Sequence, residues 1–147
     1  GLAHRAESIA VIGGVEYIND SKATNAEAAA RALATFDDIY WIAGGRAKEG
    51  GYAALEPHLN HVRHAYLIGE AAPDLAATLA GKVETTQSDT LGSAVAAATQ
   101  AAQLAGGHSV VLLSPACASF DQFSDYAVRG DAFRTLVAGL AANGGVA

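Results

Sequence analysis

Val110-Val111-Leu112-Leu113-Ser114-Pro115-Ala116-Cys117-Ala118-Ser119-Phe120-Asp121-Gln122-Phe123 is the stretch on which the fold turns. Val110 to Leu113 has no polar alternation, so it reads as a strand buried on both faces, the pattern of a parallel sheet with helices above and below. Small and hydroxyl-bearing residues follow at once. Such a chain leaves the sheet through a loop whose backbone N–H groups can turn toward a ligand, with Ser114 and Ser119 supplying hydroxyls.

The same succession recurs on the N-terminal side. Ile39 to Ala43 is a short apolar run ending at Gly44-Gly45, and Ala65 to Ile68 is another, ending at Gly69 before a helix from Ala72 to Leu79. Val83 to Thr86 offers a further strand, after which Asp89 is placed to cap a helix through Leu91, Val95, Ala98 and Ala102, stopped by Gly106-Gly107. Past the opening stretch, Phe133, Leu136, Val137, Leu140 and Ala141 form one apolar helical stripe, and Asn143-Gly144-Gly145 lets the chain fray. At the other end, Ser8 to Ile12 and Val15 to Ile18 flank Gly13-Gly14 as a hairpin or kinked entry strand. Ala26, Ala29, Ala30, Leu33 and Ala34 then recur at helical spacing, with Thr24 and Glu27 spaced as a capping box. The expectation is one α/β domain over residues 1–147, Rossmann-like, with a mostly parallel sheet, helices on both faces and a short hairpin or antiparallel strand at the N-terminus.

Composition narrows the function. The 147 residues carry 9 Lys+Arg against 15 Asp+Glu, a formal charge of -6 that disfavours nucleic acid as main partner. No apolar run approaches the roughly 18 residues of a membrane span, and no signal-peptide pattern is present. The single cysteine, Cys117, cannot form an internal disulfide, so a reducing cytoplasm is expected. The chain has no methionine and begins at Gly1, which raises the expectation of a piece cut from a longer protein.

Ligands of an open parallel sheet sit beyond the carboxyl ends of its strands. Three polar loops occupy that position: Asn19 to Asn25, Gly44 to Gly51, and Ser114 to Tyr126. The first places Asp20, Ser21, Lys22 and Thr24 ahead of a helix N-terminus, which suits an anion and suits simple capping equally. The second sets Arg46 and Lys48 among four glycines, either to meet a carboxylate or phosphate or as a solvated turn. No Walker A loop and no G-x-G-x-x-G occur, which weakens a dehydrogenase reading. In the third loop Cys117 reads as a buried, inert thiol rather than a nucleophile. His58, His61 and His64 have spacing that could bring them together on a helix, but as a surface cluster and not a metal site.

Asn19-Asp20-Ser21-Lys22-Ala23-Thr24-Asn25, Gly44-Gly45 with Lys48, and Ser114-Pro115-Ala116-Cys117-Ala118-Ser119 with Asp121-Gln122-Phe123 together resemble the C-terminal domain of the Mur ligases, and among them the members that add D-glutamate. Gly1-Leu2-Ala3-His4-Arg5 resembles the opening of that domain, so the likeness spans the whole chain. It implies a bacterial cytoplasmic, three-domain, monomeric ligase of peptidoglycan synthesis. An N-terminal domain would bind UDP, a central domain would hold ATP and Mg2+, and this domain would bring the amino acid. ATP would phosphorylate the carboxylate of UDP-N-acetylmuramoyl-L-alanine, and the amine of D-glutamate would attack the acyl phosphate. Without the other two domains this chain is expected to be inactive, and no catalytic or metal-binding residue is assigned to it. By position, the resemblance gives Thr24, Lys48, Ser119, Phe120 and Tyr126 to D-glutamate, and Arg5, Asp20 and Lys22 to ATP on domain closure. Phe120 and Tyr126 stand where leucine and phenylalanine are common. The rival expectations are a related ligase for another amino acid and a stand-alone amino-acid- or nucleotide-binding module.

Overall fold

Gly13-Gly14 fold β1 (Glu7–Ile12) back onto β2 (Val15–Asn19) as an antiparallel pair, Glu7 opposite Asn19 and Ile12 opposite Val15. The computed structural model describes residues 2–144; Gly1 and Gly145, both invoked above, lie outside them. After the hairpin come α1 (Ala26–Thr35), β3 (Ile39–Gly44), a 3₁₀ turn (Ala53–His58), β4 (Val62–Ile68) and α2 (Ala72–Leu79). β5 (Thr85–Asp89), α3 (Leu91–Ala105), β6 (Ser109–Leu113) and α4 (Tyr126–Ala142) complete the domain. The strands form one sheet in the order β1-β2-β6-β3-β4-β5, parallel everywhere except between β1 and β2.

Period-2 alternation splits the core into two layers. Trp41, Ala65, Leu67, Val110 and Leu112 face one side, where α1 covers them with Ala26, Ala29, Ala30 and Leu33 and α2 with Leu75 and Leu79. Tyr17, Tyr40, Ile42, Tyr66, Val111 and Leu113 face the other, beneath α3 and the Phe133, Val137 and Leu140 stripe of α4. Alanine on α1 and α3 lets those helices lie close to the strands, which is how a core with few aromatics stays filled.

The path of the chain sets the site. From β5 it returns by α3 to β6, which inserts between β2 and β3, so the direction of winding reverses there and the helices fall on opposite faces. The carboxyl ends of β2, β6 and β3 are therefore neighbours. They are the strands that feed the three polar loops.

Several local expectations are corrected. Asn25, not Thr24, caps α1: its side chain accepts from the Ala28 N–H at 2.8 Å, so the capping box was one residue out of register. Ala32 takes the buried place expected of Ala34, which is exposed. Thr90, not Asp89, caps α3, its hydroxyl accepting from the Ser93 N–H, because Asp89 is still the last residue of β5. β5 begins two residues later than expected, since the Val83 N–H bonds to the Leu79 carbonyl and holds Val83 against the end of α2. His58, His61 and His64 share no helix: they lie on the 3₁₀ turn, the following turn and β4. His61 pairs with Asp37 and His64 with Thr86.

Candidate functional site

The three loops are laced to one another before any ligand is considered. The Arg46 and Ala118 backbones exchange hydrogen bonds of 2.8 and 3.0 Å, joining the second loop to the third. The Gly44 N–H donates to the Pro115 carbonyl at 2.9 Å, and the Ala116 N–H donates to the Ala23 carbonyl at 3.0 Å. Asp121 reaches farther, accepting from the Glu70 N–H at 2.9 Å in the loop after β4. Gln122 donates to the Asp89 carbonyl at the end of β5.

On this scaffold the Lys48 ammonium donates to the Thr24 hydroxyl at 3.0 Å. Because Asn25 does the capping, the Thr24 hydroxyl is available for that contact. Ser119 is almost fully buried, and its hydroxyl makes no hydrogen bond among the described residues. No hydrogen bond among those residues joins it to Lys48 or Thr24. Phe120 projects into solvent at 60% exposure.

Tyr126 opens α4 and meets the first loop. Its hydroxyl accepts from the Lys22 ammonium at 3.1 Å, and the same ammonium lies 5.0 Å from the ring centre. A cation held by both the face and the hydroxyl of one tyrosine is fixed more firmly than a solvated lysine. Tyr126 and Lys22, which the resemblance assigns to different ligands, are thus in direct contact.

The N-terminal arm brings Arg5 into place. The His4 carbonyl accepts from the Lys22 N–H at 2.9 Å, and the Ala6 N–H donates to Asp20 at 2.9 Å. His4 is buried, its ring beside Asn19 at 2.9 Å and edge-on to Tyr126. His4 and Ala6 both have positive φ, 63° and 44°, so the backbone on either side of Arg5 is strained, as is common near binding sites.

Arg5, Asp20, Lys22 and Arg31 line one open groove of about 400 Å³ against α1. Asp20 lies at its base, accepting from the Ser114 hydroxyl at 2.7 Å. Burial pushes the Asp20 carboxyl above its ordinary 3.8, against the Ser114 and Ala6 hydrogen bonds and the charges of Arg31 and Arg5. The folded state therefore holds this proton more tightly than the unfolded one. Its contribution to stability is full below pH 3.8 and is lost as pH rises through the folded value. Asp20→Asn should flatten that slope in thermal melts of the chain, the variant gaining on wild type as pH rises. A difference in Tm that stays constant from about pH 3 to about pH 7 would contradict it.

Two arginines lie where the sequence reading did not place them. Arg31, on α1 and spaced as an i,i+4 partner of Glu27, makes no ion pair with it among the described residues and adds a third cation to the Arg5 and Lys22 groove. Arg129, on α4, is 1% exposed; its guanidinium donates to the Ser21 hydroxyl at 2.9 Å, the Ser21 carbonyl at 2.8 Å and the Cys117 carbonyl at 3.1 Å. The available signal was periodicity, since Arg129 sits four residues before Phe133 on the buried stripe. Cys117 is fully buried, 3.6 Å from the Tyr52 hydroxyl, and burial raises its thiol pKa. That environment suits packing rather than nucleophilic chemistry.

A family model described as Mur ligase, glutamate ligase domain, matches residues 4–117. Relatives named UDP-N-acetylmuramoylalanine--D-glutamate ligase align along almost the whole chain. The one from Rhodospirillum rubrum is 59% identical over 142 residues, covering 96% of this chain and 30% of its own length. Those from Caulobacter vibrioides and Rhizobium meliloti are 54% and 57% identical, covering 100% and 95% of this chain. The chain spans about 30% of the length of these relatives.

Proposed function

The chain belongs to the Mur ligase, glutamate ligase domain family, and from that membership we propose that it is the amino-acid-binding domain of a ligase that adds D-glutamate to UDP-N-acetylmuramoyl-L-alanine. The observation that supports this most is the Lys48–Thr24 contact, made across two loops that the third loop holds together. A dicarboxylate requires cationic and neutral donors converging from separate segments, and Lys48, Thr24 and the free Ser119 hydroxyl supply that set. The family likeness adds Phe120, next in sequence to Ser119, and Tyr126, which holds Lys22.

The groove of Arg5, Lys22 and Arg31 is suited to phosphate oxygens, with Asp20 fixing the arm and the third loop behind it. Three cations around one small opening fit a nucleotide triphosphate better than an apolar ligand. On the family likeness we assign Mg2+ and most of the ATP contacts to a central domain of the longer protein. When bound, ATP supplies a phosphoryl group to the nucleotide substrate's carboxylate, and the D-glutamate amine displaces that phosphate to form the amide. The residues of this domain would orient the amine and carry it to the acyl group as the domains close. On the likeness to D-glutamate ligases we place the enzyme in the bacterial cytoplasm.

The test is phosphate release by the full-length ligase with D-glutamate, L-alanine, L-lysine or diaminopimelate as acceptor. D-Glutamate alone should support turnover. Lys48→Ala should raise KM for D-glutamate by about 100-fold, the loss of one charged hydrogen bond in a semi-enclosed site, and leave KM for ATP within about threefold. An unchanged KM for D-glutamate would remove Lys48 from the site.

A further inference from the structure

Arg129 is a buried cation with no ion-pair partner among the described residues. Its three hydrogen-bond partners are all neutral: one hydroxyl and two carbonyls. No ion pair among the described residues includes it. The carboxylate that acts on it through space, Asp121, spends its hydrogen bond on the Glu70 N–H. The neighbouring Cys117 thiol stays protonated because burial raises its pKa. Buried charges are ordinarily paired, since desolvating an ion costs several kcal/mol that neutral dipoles repay only in part. Burial accordingly lowers the Arg129 pKa to about 10, which still leaves it charged at neutral pH.

Its position explains why the cost is tolerated. The guanidinium bonds to Ser21 in the first loop and Cys117 in the third, and lies close to Gly45 in the second, where an added Cβ would stand 3.3 Å from Nη1. Ser21, Cys117 and Gly45 stand three, two and three residues before Thr24, Ser119 and Lys48 in their loops, and the guanidinium itself is buried. A positive charge held there in a poorly polarisable environment acts on a ligand of those loops with little screening by salt.

We propose that Arg129 is a positioning residue and a buried counter-charge of the glutamate site: it locks the Asn19–Asn25 and Ser114–Tyr126 loops against each other, and its charge, which Asp121 offsets through space without an ion pair, adds to the attraction for a bound dicarboxylate. This rests on the D-glutamate reading above. It also separates two contributions that a merely structural arginine would not separate, namely the fork of hydrogen bonds and the charge.

The experiment compares Arg129→Gln and Arg129→Lys in the full-length ligase, measuring kcat, KM for D-glutamate, KM for ATP, and inhibition by D-glutamine, in which an amide replaces the side-chain carboxylate. Arg129→Gln should raise KM for D-glutamate about tenfold or more, with KM for ATP within about threefold and weakened discrimination against D-glutamine. Arg129→Lys keeps the charge and should restore KM for D-glutamate to within about threefold of wild type. Should the glutamine variant fail to fold, the lysine variant decides alone: a KM for D-glutamate raised as far as tenfold, roughly, overturns the counter-charge. Unchanged D-glutamate KM in a folded Arg129→Gln overturns it as well. Absence of D-glutamate-dependent turnover in the wild type would instead overturn the reading on which it rests.

Discussion

Gly44→Ala should destabilise the domain by about 3 kcal/mol or more, measured by urea unfolding with the fluorescence of Trp41. Gly44 closes β3 at φ 128°, a conformation that only glycine adopts without strain. A Cβ there would overlap the Ile68 carbonyl oxygen and lie 2.8 Å from the Ile68 nitrogen and 2.9 Å from its carbonyl carbon. All three are backbone atoms of the paired strand β4, so no rotamer change relieves the clash. The strand ends would have to part. That would also disturb the Gly44 N–H bond to Pro115 and the Gly45 N–H bond to Ile68, which set the second loop against the third loop and the end of β4. Binding should therefore fall with stability. A loss under about 1 kcal/mol would mean that β3 and β4 can separate at this point without cost.

The middle of the sheet was legible because β3, β4 and β6 hold short apolar runs followed by glycine or small polar residues, and burial leaves such runs few other uses; β5, Thr85-Thr86-Gln87-Ser88-Asp89 at the edge, has no such run. Val110 to Leu113 shows this best: it is completely buried and central, as its lack of alternation implies. Boundaries were less legible where a single hydrogen bond decides them. Thr24 and Asn25 are both good caps, and Asp89 and Thr90 are too; sequence alone does not say which one the helix will use. The loops of the site were visible as glycine-rich and polar segments, and the family likeness supplied roles for their residues. What neither showed was Arg129, because an arginine on a helix is ordinarily solvated and only the packing of α4 against two loops buries it. The Lys22–Tyr126 contact was hidden for a related reason: it joins residues 104 positions apart. Such pairs depend on the order of strands, and the insertion of β6 between β2 and β3 is a property of the whole chain.

Trp41→Ala should cost about 4 kcal/mol, read by circular dichroism because the variant loses its only tryptophan. The indole is fully buried between β3 and α1's layer of the core, and a truncation there leaves a cavity that backbone strands cannot collapse to fill. Trp41→Phe divides the effect. The ring keeps most of the volume, but the Trp41 Nε1–H donates to the Ser114 carbonyl at 2.7 Å, and phenylalanine leaves that buried oxygen without this donor. The expected cost is about 1–3 kcal/mol. Ser114 is also the residue whose hydroxyl holds Asp20, so the indole bond ties the core directly to the base of the cationic groove. If the tie matters for geometry, Trp41→Phe in the full-length ligase should raise KM for ATP by several-fold while KM for D-glutamate moves less, since Ser114 bonds to Asp20 at the base of the groove and, among the described residues, to neither Lys48 nor Thr24. Equal changes in both constants would show that the substitution loosens the domain as a whole, and that Ser114 does not transmit the position of Trp41 to the groove.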